Sequence, residues 1–384
     1  MDQVYSKETL LSIETSLKWT TGTQTQPGGP MPTRRLFSAD SHCVITSDQV
    51  KKNLAAKYHE NWDAGMLKYD AQRSEQMAGG SLELEDFVDL EAARHPGYFD
   101  SNARLEAMDA DGVECEVMYS EFDFTSKVYQ LGDSWKECAT AYNNTLHAFA
   151  SVDPKRILIS YQLPLIEIDY ATSEVYRLAD LGARSIQIPN FPTEVGMPDY
   201  HDERYAKLWH AFEETGIVVA NHLTLKEDLW DVFRRDPTPQ KGIFTALPGF
   251  AIAETLCWYI FTGVLERHPG LRVVFVEPGL FWLPGFIRYL DSRMGHHYEF
   301  PEMKELPSTY FRNQMAVTFV HEPEGVELRH EIGLENVLWS TDFPHPICNW
   351  PNAGAKIEKQ FEGVPDDEVH AITWANGARM YGID

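Results

Sequence analysis

Short apolar runs alternate with longer amphipathic segments along most of this chain. Eight runs have the length of buried strands, at residues 36–40, 113–120, 156–164, 184–190, 217–222, 272–277, 314–320 and 336–342. Continuous apolar sequence is typical of strands in a parallel sheet that is covered on both faces. Intervening segments such as 170–183 and 202–216 have apolar residues at spacings of three and four with a glycine near the end, which predicts helices. This alternation predicts an α/β fold, a (β/α)8 TIM barrel.

The pattern divides the chain into a leader and one barrel domain. Residues 1–35 form a polar N-terminal leader, and residues 36–384 form the barrel. The stretch 43–112 is too long for one plain connection, so we interpret it as an insertion after strand 1 that could overhang the barrel mouth like a lid. Residues 77–86 (MAGGSLELED) are expected to be its flexible part.

Composition narrows the classes of function. The sequence has 58 acidic and 33 basic side chains and a formal net charge of −25, which disfavours nucleic acid and anionic membranes as partners. The N-terminal segment lacks the apolar core of a signal peptide, and no apolar run has the roughly 20 residues that span a bilayer. We therefore expect a soluble, cytoplasmic protein. Its five scattered cysteines fit neither a disulfide framework nor a CxxC metal site.

Acidic and histidine side chains stand at the ends of the predicted strands. They are Asp40 and His42 after strand 1, Glu121 after strand 2, His222 at strand 5, Glu277 at strand 6 and Asp342 at strand 8. The carboxyl ends of barrel strands build the active site, so these groups should converge on one rim. Four carboxylates without a counter-ion would repel one another and raise one another's pKa, whereas a bound cation would compensate them.

Each of these residues also has an ordinary structural explanation. Asp40 could cap a loop, His222 could be a hydrogen-bonded core histidine, Glu121 could be an exposed loop acid, and Asp342 could anchor the turn that follows it. Their coincidence on successive strand ends favours a metal site instead. Residues i and i+2 of an extended chain point the same way, so Asp40 and His42 can reach one ion.

Several motifs resemble one enzyme family. They are SADSH (38–42), ANH (220–222), VFVEPGLFWLPGFIRYLDSR (274–293), LPSTYFRNQMAVTF (306–319) and NVLWSTDFPHP (336–346). Together they resemble the amidohydrolase-related family of metal-dependent barrels, which includes aminocarboxymuconate semialdehyde decarboxylase, over residues 36–384. The resemblance implies that His42, His222 and Asp342 hold a divalent metal and that Asp342 also acts as a catalytic acid or base.

The sequence departs from the family pattern at three positions. Asp40 stands where the family has its first histidine, Glu277 where many relatives carry a strand-6 histidine, and Glu121 at a position where no ligand is expected. Carboxylates make a site harder and shift its preference from zinc toward iron or manganese. Six ligands also exceed what one catalytic ion needs. The resulting set is similar to that of the non-heme di-iron monooxygenases of platensimycin and platencin biosynthesis.

Two functions therefore compete, and the ligand composition narrowly favours the first. A di-iron oxygenase would use two iron ions and O2 to hydroxylate a bulky apolar carboxylic acid or thioester. Alternatively, one zinc or manganese ion would serve a hydrolase or decarboxylase of a small carboxylic acid, with Asp342 moving the proton. Glu277 and His345 are further candidate catalytic residues. His345 and His321 are either additional ligands or hydrogen-bond partners of ligands. A homodimer is also expected from the resemblance.

Overall fold

The structure, a computed structural model, describes residues 34–77, 95–121, 124–294, 300–345 and 347–383. The predicted strands are confirmed as β1 (Leu36–Cys43), β2 (Val113–Ser120), β3 (Ile157–Gln162), β4 (Ser185–Gln187), β5 (Val218–His222), β6 (Val273–Val276), β7 (Met315–Phe319) and β8 (Val337–Trp339). Strand β8 ends three residues before Asp342, where 336–342 was predicted. The predicted strand is thus longer than the hydrogen-bonded ladder, because its last three residues, 340–342, are polar and lie beyond β8.

The strands form a parallel barrel in sequence order, from β1 to β8. Strands β8 and β1 meet where the Asp342 amide donates to the Asp40 carbonyl at 3.0 Å and the His42 amide donates to the Phe343 carbonyl at 2.8 Å. The predicted (β/α)8 TIM barrel is therefore confirmed. The hydrogen bonds at the seam between the first and last strands involve the main chains of Asp40, His42 and Asp342, which are three of the candidate site residues.

Helices follow the strands and cover the outside of the barrel. They are α1 (Ser47–Asn53), α2 (His59–Met77), α3 (Ser101–Asp111), α4 (Phe124–Lys127), α5 (Trp135–Ala150), α6 (Ile168–Asp180), α7 (Ala206–Thr215), α8 (Glu227–Arg235), α9 (Gly242–Thr245), α10 (Ile252–Phe261), α11 (Val264–Arg267), α12 (Leu283–Arg293), α13 (Pro307–Gln314), α14 (Pro323–Glu327), α15 (Arg329–Ile332), α16 (Ala353–Gln360), α17 (Asp366–His370) and α18 (Asn376–Tyr381). Among the described residues, no helix is both long enough and apolar enough to span a membrane.

Aromatic side chains close the N-terminal end of the barrel. Phe37, near the start of β1, stacks on Tyr381 with ring centroids 5.7 Å apart. The Trp374 ring meets Phe37 edge-on at 6.1 Å. These rings join the apolar cluster inside the barrel, which includes Val117 and Val274. Polar groups are thereby left to the opposite, C-terminal end.

A bulge in β1 aims two side chains into the barrel. Between Ser38 and Ser41 the register with β2 shifts, so that β1 carries one residue more than its partner. An extra residue reverses the alternation of side chains along a strand. His42 consequently pairs with Tyr119, whose side chain lies inside the barrel. Asp40 and His42 then face the interior together.

The described part of the predicted insertion packs against the flank of the barrel. In α1, Asn53 donates to the Thr145 hydroxyl of α5 at 2.9 Å. In α2, Trp62 stacks on Phe124 and on Tyr142, with centroids 5.9 and 6.3 Å apart. Residues 78–94 lie outside the described residues, so the lid-like role of segment 43–112 remains a prediction, as do the domain boundaries.

A buried ion pair links the insertion to the sheet. The Arg104 guanidinium of α3 donates to the Glu116 carboxylate of β2 at 2.8 Å, and the two side chains are 2% and 3% exposed. The same guanidinium lies 4.3 Å from the centre of the Phe343 ring. Glu116 also accepts a hydrogen bond from Ser41. The pair therefore ties α3, β1, β2 and the loop after β8 together.

We predict that Glu116→Gln lowers the free energy of unfolding by about 3 kcal/mol, because it leaves the buried guanidinium without its counter-ion. Chemical denaturation followed by circular dichroism measures the change. Glu114→Gln is the matched control, since Glu114 on the same strand pairs with Arg35 at the surface with side chains 44% and 47% exposed. The control should change stability by less than about 1 kcal/mol. Equal losses in both variants would contradict the structural role of the buried pair.

Candidate metal centre

The structure brings all of the candidate residues at the strand ends to one rim. Asp40 and His42 lie in β1, and His222 is the last residue of β5. Glu121 directly follows β2 and Glu277 directly follows β6. Asp342 lies in the loop after β8, where the sheet hydrogen bonds end and the chain turns back toward β1.

Two of the acids occupy unusual backbone conformations. Glu277 and Asp342 have φ values of 68° and 53°, in the left-handed region that non-glycine residues rarely adopt. The Glu277 amide is held by the Thr318 hydroxyl at 2.7 Å, and the Asp342 amide by the Asp40 carbonyl at 3.0 Å. Such strain persists where the surroundings enforce it and is enriched at functional sites. These hydrogen bonds fix where both carboxylates project.

The first group of potential ligands consists of Asp40, His42 and His222. The Asp40 Oδ1 lies 3.6 Å from His42 Nε2 and 3.5 Å from His222 Nε2. The three ligand atoms are all within 4.8 Å of one another. Asp40 is fully buried, whereas the His222 side chain is 11% exposed. This group therefore lies at the boundary between the barrel interior and its opening.

A second group shares His42 with the first. The Asp342 Oδ1 lies 3.1 Å from His42 Nε2 and 2.9 Å from His345 Nδ1. Glu121 closes the group, with Oε2 3.4 Å from His42 Nδ1 and Oε1 3.6 Å from His345 Nε2. His42, Asp342 and His345 again offer ligand atoms within 4.8 Å of one another.

The first group fits a divalent cation better than it fits a hydrogen-bond network. Neither oxygen of Asp40 forms a hydrogen bond of normal geometry with the described residues, and the same is true of His222 Nε2. A buried carboxylate without partners is costly unless a cation compensates it. Ligand atoms bound at about 2.1 Å to one ion stand about 3 to 3.5 Å apart, close to the spacings found here. The donor set of carboxylates and imidazoles suits manganese, iron or zinc.

Electrostatics within the cluster favour the protonated forms of His222 and His345. Burial lowers the pKa of His222, but the adjacent Asp40 carboxylate outweighs burial and raises that pKa to about 9. His345 behaves likewise, because Asp342 and Glu121 outweigh burial and raise its pKa well above the usual value. Metal ligands must be deprotonated, so a bound divalent ion would take the place of these protons.

The carboxylates differ in their affinity for protons. Burial and the charge of Asp342 raise the pKa of Glu277 above its ordinary value. Burial also favours the protonated form of Asp342, but His345 and His42 outweigh it and lower the pKa of Asp342. The pKa of Glu121 is lowered in the same way by His345 and His42. Of these three acids, Glu277 is therefore the one that takes up a proton first.

His345 and His321, the two further histidines that the sequence suggested, lie in different places. His345 contacts Asp342 and belongs to the cluster. His321 is exposed and is absent from the ligand groups found among the described residues. Tyr119 packs edge-on against His222 with ring centroids 4.9 Å apart, so its aromatic face orients a candidate ligand. The sequence offered no periodic signal for this contact, which depends on the bulge in β1 and on barrel closure.

Comparisons with known proteins show which family the chain belongs to. A family model described as amidohydrolase matches residues 40–383. The chain is 24% identical over 265 residues to the 2-amino-3-carboxymuconate-6-semialdehyde decarboxylase of Dictyostelium discoideum, covering 65% of this chain and 68% of the relative. It is 24% identical over 308 residues to the gamma-resorcylate decarboxylase of Rhizobium sp. (strain MTP-10005), covering 74% of this chain and 87% of the relative.

Solved structures show the same fold. An amidohydrolase from Mycobacterium avium subsp. paratuberculosis K-10 superimposes with a TM-score of 0.72 at 19% identity, covering 92% of this chain and 99% of that one. A dihydroxybenzoic acid decarboxylase from Polaromonas sp. JS666, with bound manganese and the inhibitor 2-nitroresorcinol, superimposes with a TM-score of 0.65 at 16% identity. The superposition covers 91% of this chain and 97% of that one. These likenesses place the candidate ligands on a barrel of known type.

We predict that His222→Ala weakens manganese binding at least about 100-fold while the barrel remains folded, because a rim ligand contributes little to the core. Isothermal titration with Mn²⁺ measures affinity and stoichiometry, and circular dichroism monitors the fold. His321→Ala is the control, since it removes an exposed histidine just past β7. Unchanged manganese affinity in the folded His222→Ala protein would remove His222 from the site.

Proposed function

Because the chain belongs to the amidohydrolase family, we propose that it is a metal-dependent decarboxylase of an unsaturated or aromatic carboxylic acid. The observation that carries the proposal is a ligand group of Asp40, His42 and His222 on the same rim as Glu277, a carboxyl group whose pKa is raised by burial and by Asp342. The decarboxylases among its relatives support the same class of substrate. One divalent ion, manganese or zinc, suits the first ligand group with Asp342 completing it.

A bound divalent ion would hold the substrate carboxylate and stabilise negative charge that develops next to it. The reaction breaks the bond between the substrate carbon and its carboxylate, releases CO2 and leaves an electron pair on that carbon. Glu277 delivers the proton that replaces CO2, since burial and the charge of Asp342 raise the pKa of its carboxyl group and favour the protonated form. A proton from solvent then restores Glu277, which is partly accessible at the opening.

The residues around Glu277 influence the pKa of its carboxyl group and do not themselves transfer the proton. His345 and His42 both contact Asp342 Oδ1, at 2.9 and 3.1 Å, and keep that carboxylate ionised. An ionised Asp342 in turn raises the pKa of Glu277. Hydrolysis of a carboxylic acid derivative is the related activity that the same residues support, with Asp342 accepting the proton of an attacking water.

A second candidate function is favoured by the overlap of the two ligand groups. Two groups that share His42 offer three carboxylates and three imidazoles, and Glu277 after β6 adds a fourth carboxylate to the same rim. This inventory resembles that of di-iron carboxylate proteins, which a helix bundle presents. Two iron ions would supply O2-dependent oxidation of an unactivated carbon. In that case Glu121 and Glu277 would be ligands, and the substrate would be bulky and apolar.

We predict that the protein loaded with one Mn²⁺ per chain releases CO2 from a hydroxylated benzoic acid without oxygen. Headspace CO2 under argon and an oxygen electrode in air measure the two reactions side by side. Release of CO2 with no oxygen uptake is expected, because decarboxylation consumes only a proton. Two irons per chain in protein purified without added metal, together with substrate-dependent oxygen uptake, would instead select the oxygenase.

We predict that Glu277→Gln lowers kcat at least about 100-fold and leaves the metal content at one ion per chain, because the amide cannot donate the proton. Steady-state kinetics and metal analysis of the same preparations measure both quantities. Glu114→Gln, which alters an exposed acid on β2, is the control for removal of one negative charge. A fall from two ions to one would contradict the decarboxylase proposal and make Glu277 a ligand.

A further inference from the structure

A second group of polar side chains lies inside the barrel and takes no part in the metal-ligand groups. Gln162 ends β3 and Gln187 ends β4, and the two residues are partners in the sheet register. The Gln162 Nε2 donates to the Gln187 Oε1 at 2.9 Å. Asn190 follows β4, and its Nδ2 donates to the main-chain oxygen of His222 at 2.6 Å. We refer to Gln162, Gln187 and Asn190 as the amide cluster.

Sheet register places both glutamines on the inner wall of the barrel. Val117 and Leu158 are register partners and both belong to the interior apolar cluster. Alternation along β3 then brings Gln162, four residues after Leu158, to the same face. Gln187 is the register partner of Ala220, which also lies inside. The amide cluster therefore occupies the inner wall at β3 and β4, between the strands that carry Glu121 and His222.

Two acceptors of this cluster are buried without a partner. Gln162 is fully buried and Asn190 is 4% exposed. Neither Gln162 Oε1 nor Asn190 Oδ1 has a hydrogen bond among the described residues. The orientation of Asn190 is fixed, because a flipped amide would direct its oxygen at the His222 carbonyl. Buried acceptors in native proteins normally accept a hydrogen bond. Two acceptors without a donor beside a candidate active site therefore indicate that a ligand group binds there.

A buried glutamine elsewhere shows what a purely structural arrangement looks like. Gln314, at the end of α13, directs its Nε2 at the main-chain oxygens of Leu265, His268 and Leu271, at 3.2, 2.8 and 3.3 Å. It thereby joins α13 to the segment before β6. Gln162 differs from Gln314, because its side chain meets another glutamine on the inner wall and joins no helix to the barrel.

We infer that the amide cluster is a recognition subsite for a hydroxyl group on the carboxylic acid substrate. The inference rests on the proposed function, in which the metal centre holds the carboxylate. Neutral amides cannot compensate a carboxylate, and an ammonium group would be drawn to the four acids of the rim instead. A hydroxyl group both donates and accepts, so it matches amide oxygens and amide nitrogens alike. The substrate class is thus a hydroxylated unsaturated or aromatic carboxylic acid.

Binding of matched acids to the manganese-loaded full chain tests this inference. Benzoate and the 2-, 3- and 4-hydroxybenzoates are titrated calorimetrically into wild type and into the double variant Gln162→Leu/Gln187→Leu. At least one hydroxybenzoate should bind wild type about tenfold or more tightly than benzoate. In the double variant that gain should fall below about twofold, with benzoate affinity unchanged. A gain that persists in the double variant, or no gain in wild type, overturns the inference.

Thermal melting keeps failure of this inference distinct from failure of the proposed function. If no acid binds manganese-loaded wild type, the proposed function fails, and the melting temperature alone then decides the role of the amide cluster. Replacing both partners of a hydrogen bond by apolar groups of similar shape is close to neutral, and removal of an unpaired acceptor is favourable. The double variant should therefore melt at or above the wild-type temperature. The control Gln314→Leu should melt lower, and an equal loss in the double variant overturns the inference.

Discussion

Compensation of negative charge is the constraint on which the site end of this barrel depends. Four carboxylates and three imidazoles share one rim, and Asp40 among them is fully buried, with neither oxygen in a hydrogen bond to the described residues. Desolvated like charges in a low-dielectric interior repel strongly. Either protons on the histidines or a divalent cation must offset them. A divalent cation does so by taking the place of the protons on the imidazole nitrogens that face the carboxylates.

The scaffold separates this charged end from an apolar one. Phe37, Trp374 and Tyr381 fill the N-terminal end of the barrel, so water is excluded below the rim. The seam between β8 and β1 runs directly under the site, since its hydrogen bonds involve the main chains of Asp40, His42 and Asp342. A single feature therefore closes the barrel and sets the spacing of three candidate ligands. The strained backbone at Asp342 follows from these two roles, barrel closure and the placement of a candidate ligand.

Much of the fold could be predicted because its signals are local. Buried parallel strands require apolar runs, and β2 was located to the residue at Val113–Ser120. The strand ends then indicated the candidate ligands, since strand direction alone decides which end of a barrel carries the site. The bulge in β1 and the early end of β8 could not be predicted, because both arise from pairing between strands distant in sequence.

Other parts of the site escaped sequence reasoning for the same physical reason. His345 was a candidate from the sequence, but its contact with Asp342 could not be predicted, because it depends on how the loop after β8 turns back over the rim. Gln162 and Gln187 lie in segments that were treated simply as apolar runs, although their polar residues fall on the inward face. A polar residue that faces inward at a strand end is a candidate site residue, and it is easily overlooked when its neighbours are apolar. The alternation of side chains within each run, considered residue by residue, would have revealed the amide cluster.

Differences in charge compensation among the acids bear on how many metal ions the rim can bind. Glu121 is held by His42 at 3.4 Å and by His345 at 3.6 Å, and these two histidines lower its pKa. Its charge is thus compensated within the protein. Glu277 meets the opposite condition, because burial and Asp342 favour its protonated form. Asp40 has histidines at similar distances of 3.5 and 3.6 Å, but it is fully buried and neither of its oxygens forms a hydrogen bond to the described residues, so it is the acid that most needs an external cation. This asymmetry supports a single ion at the first ligand group, with a proton donor beside it.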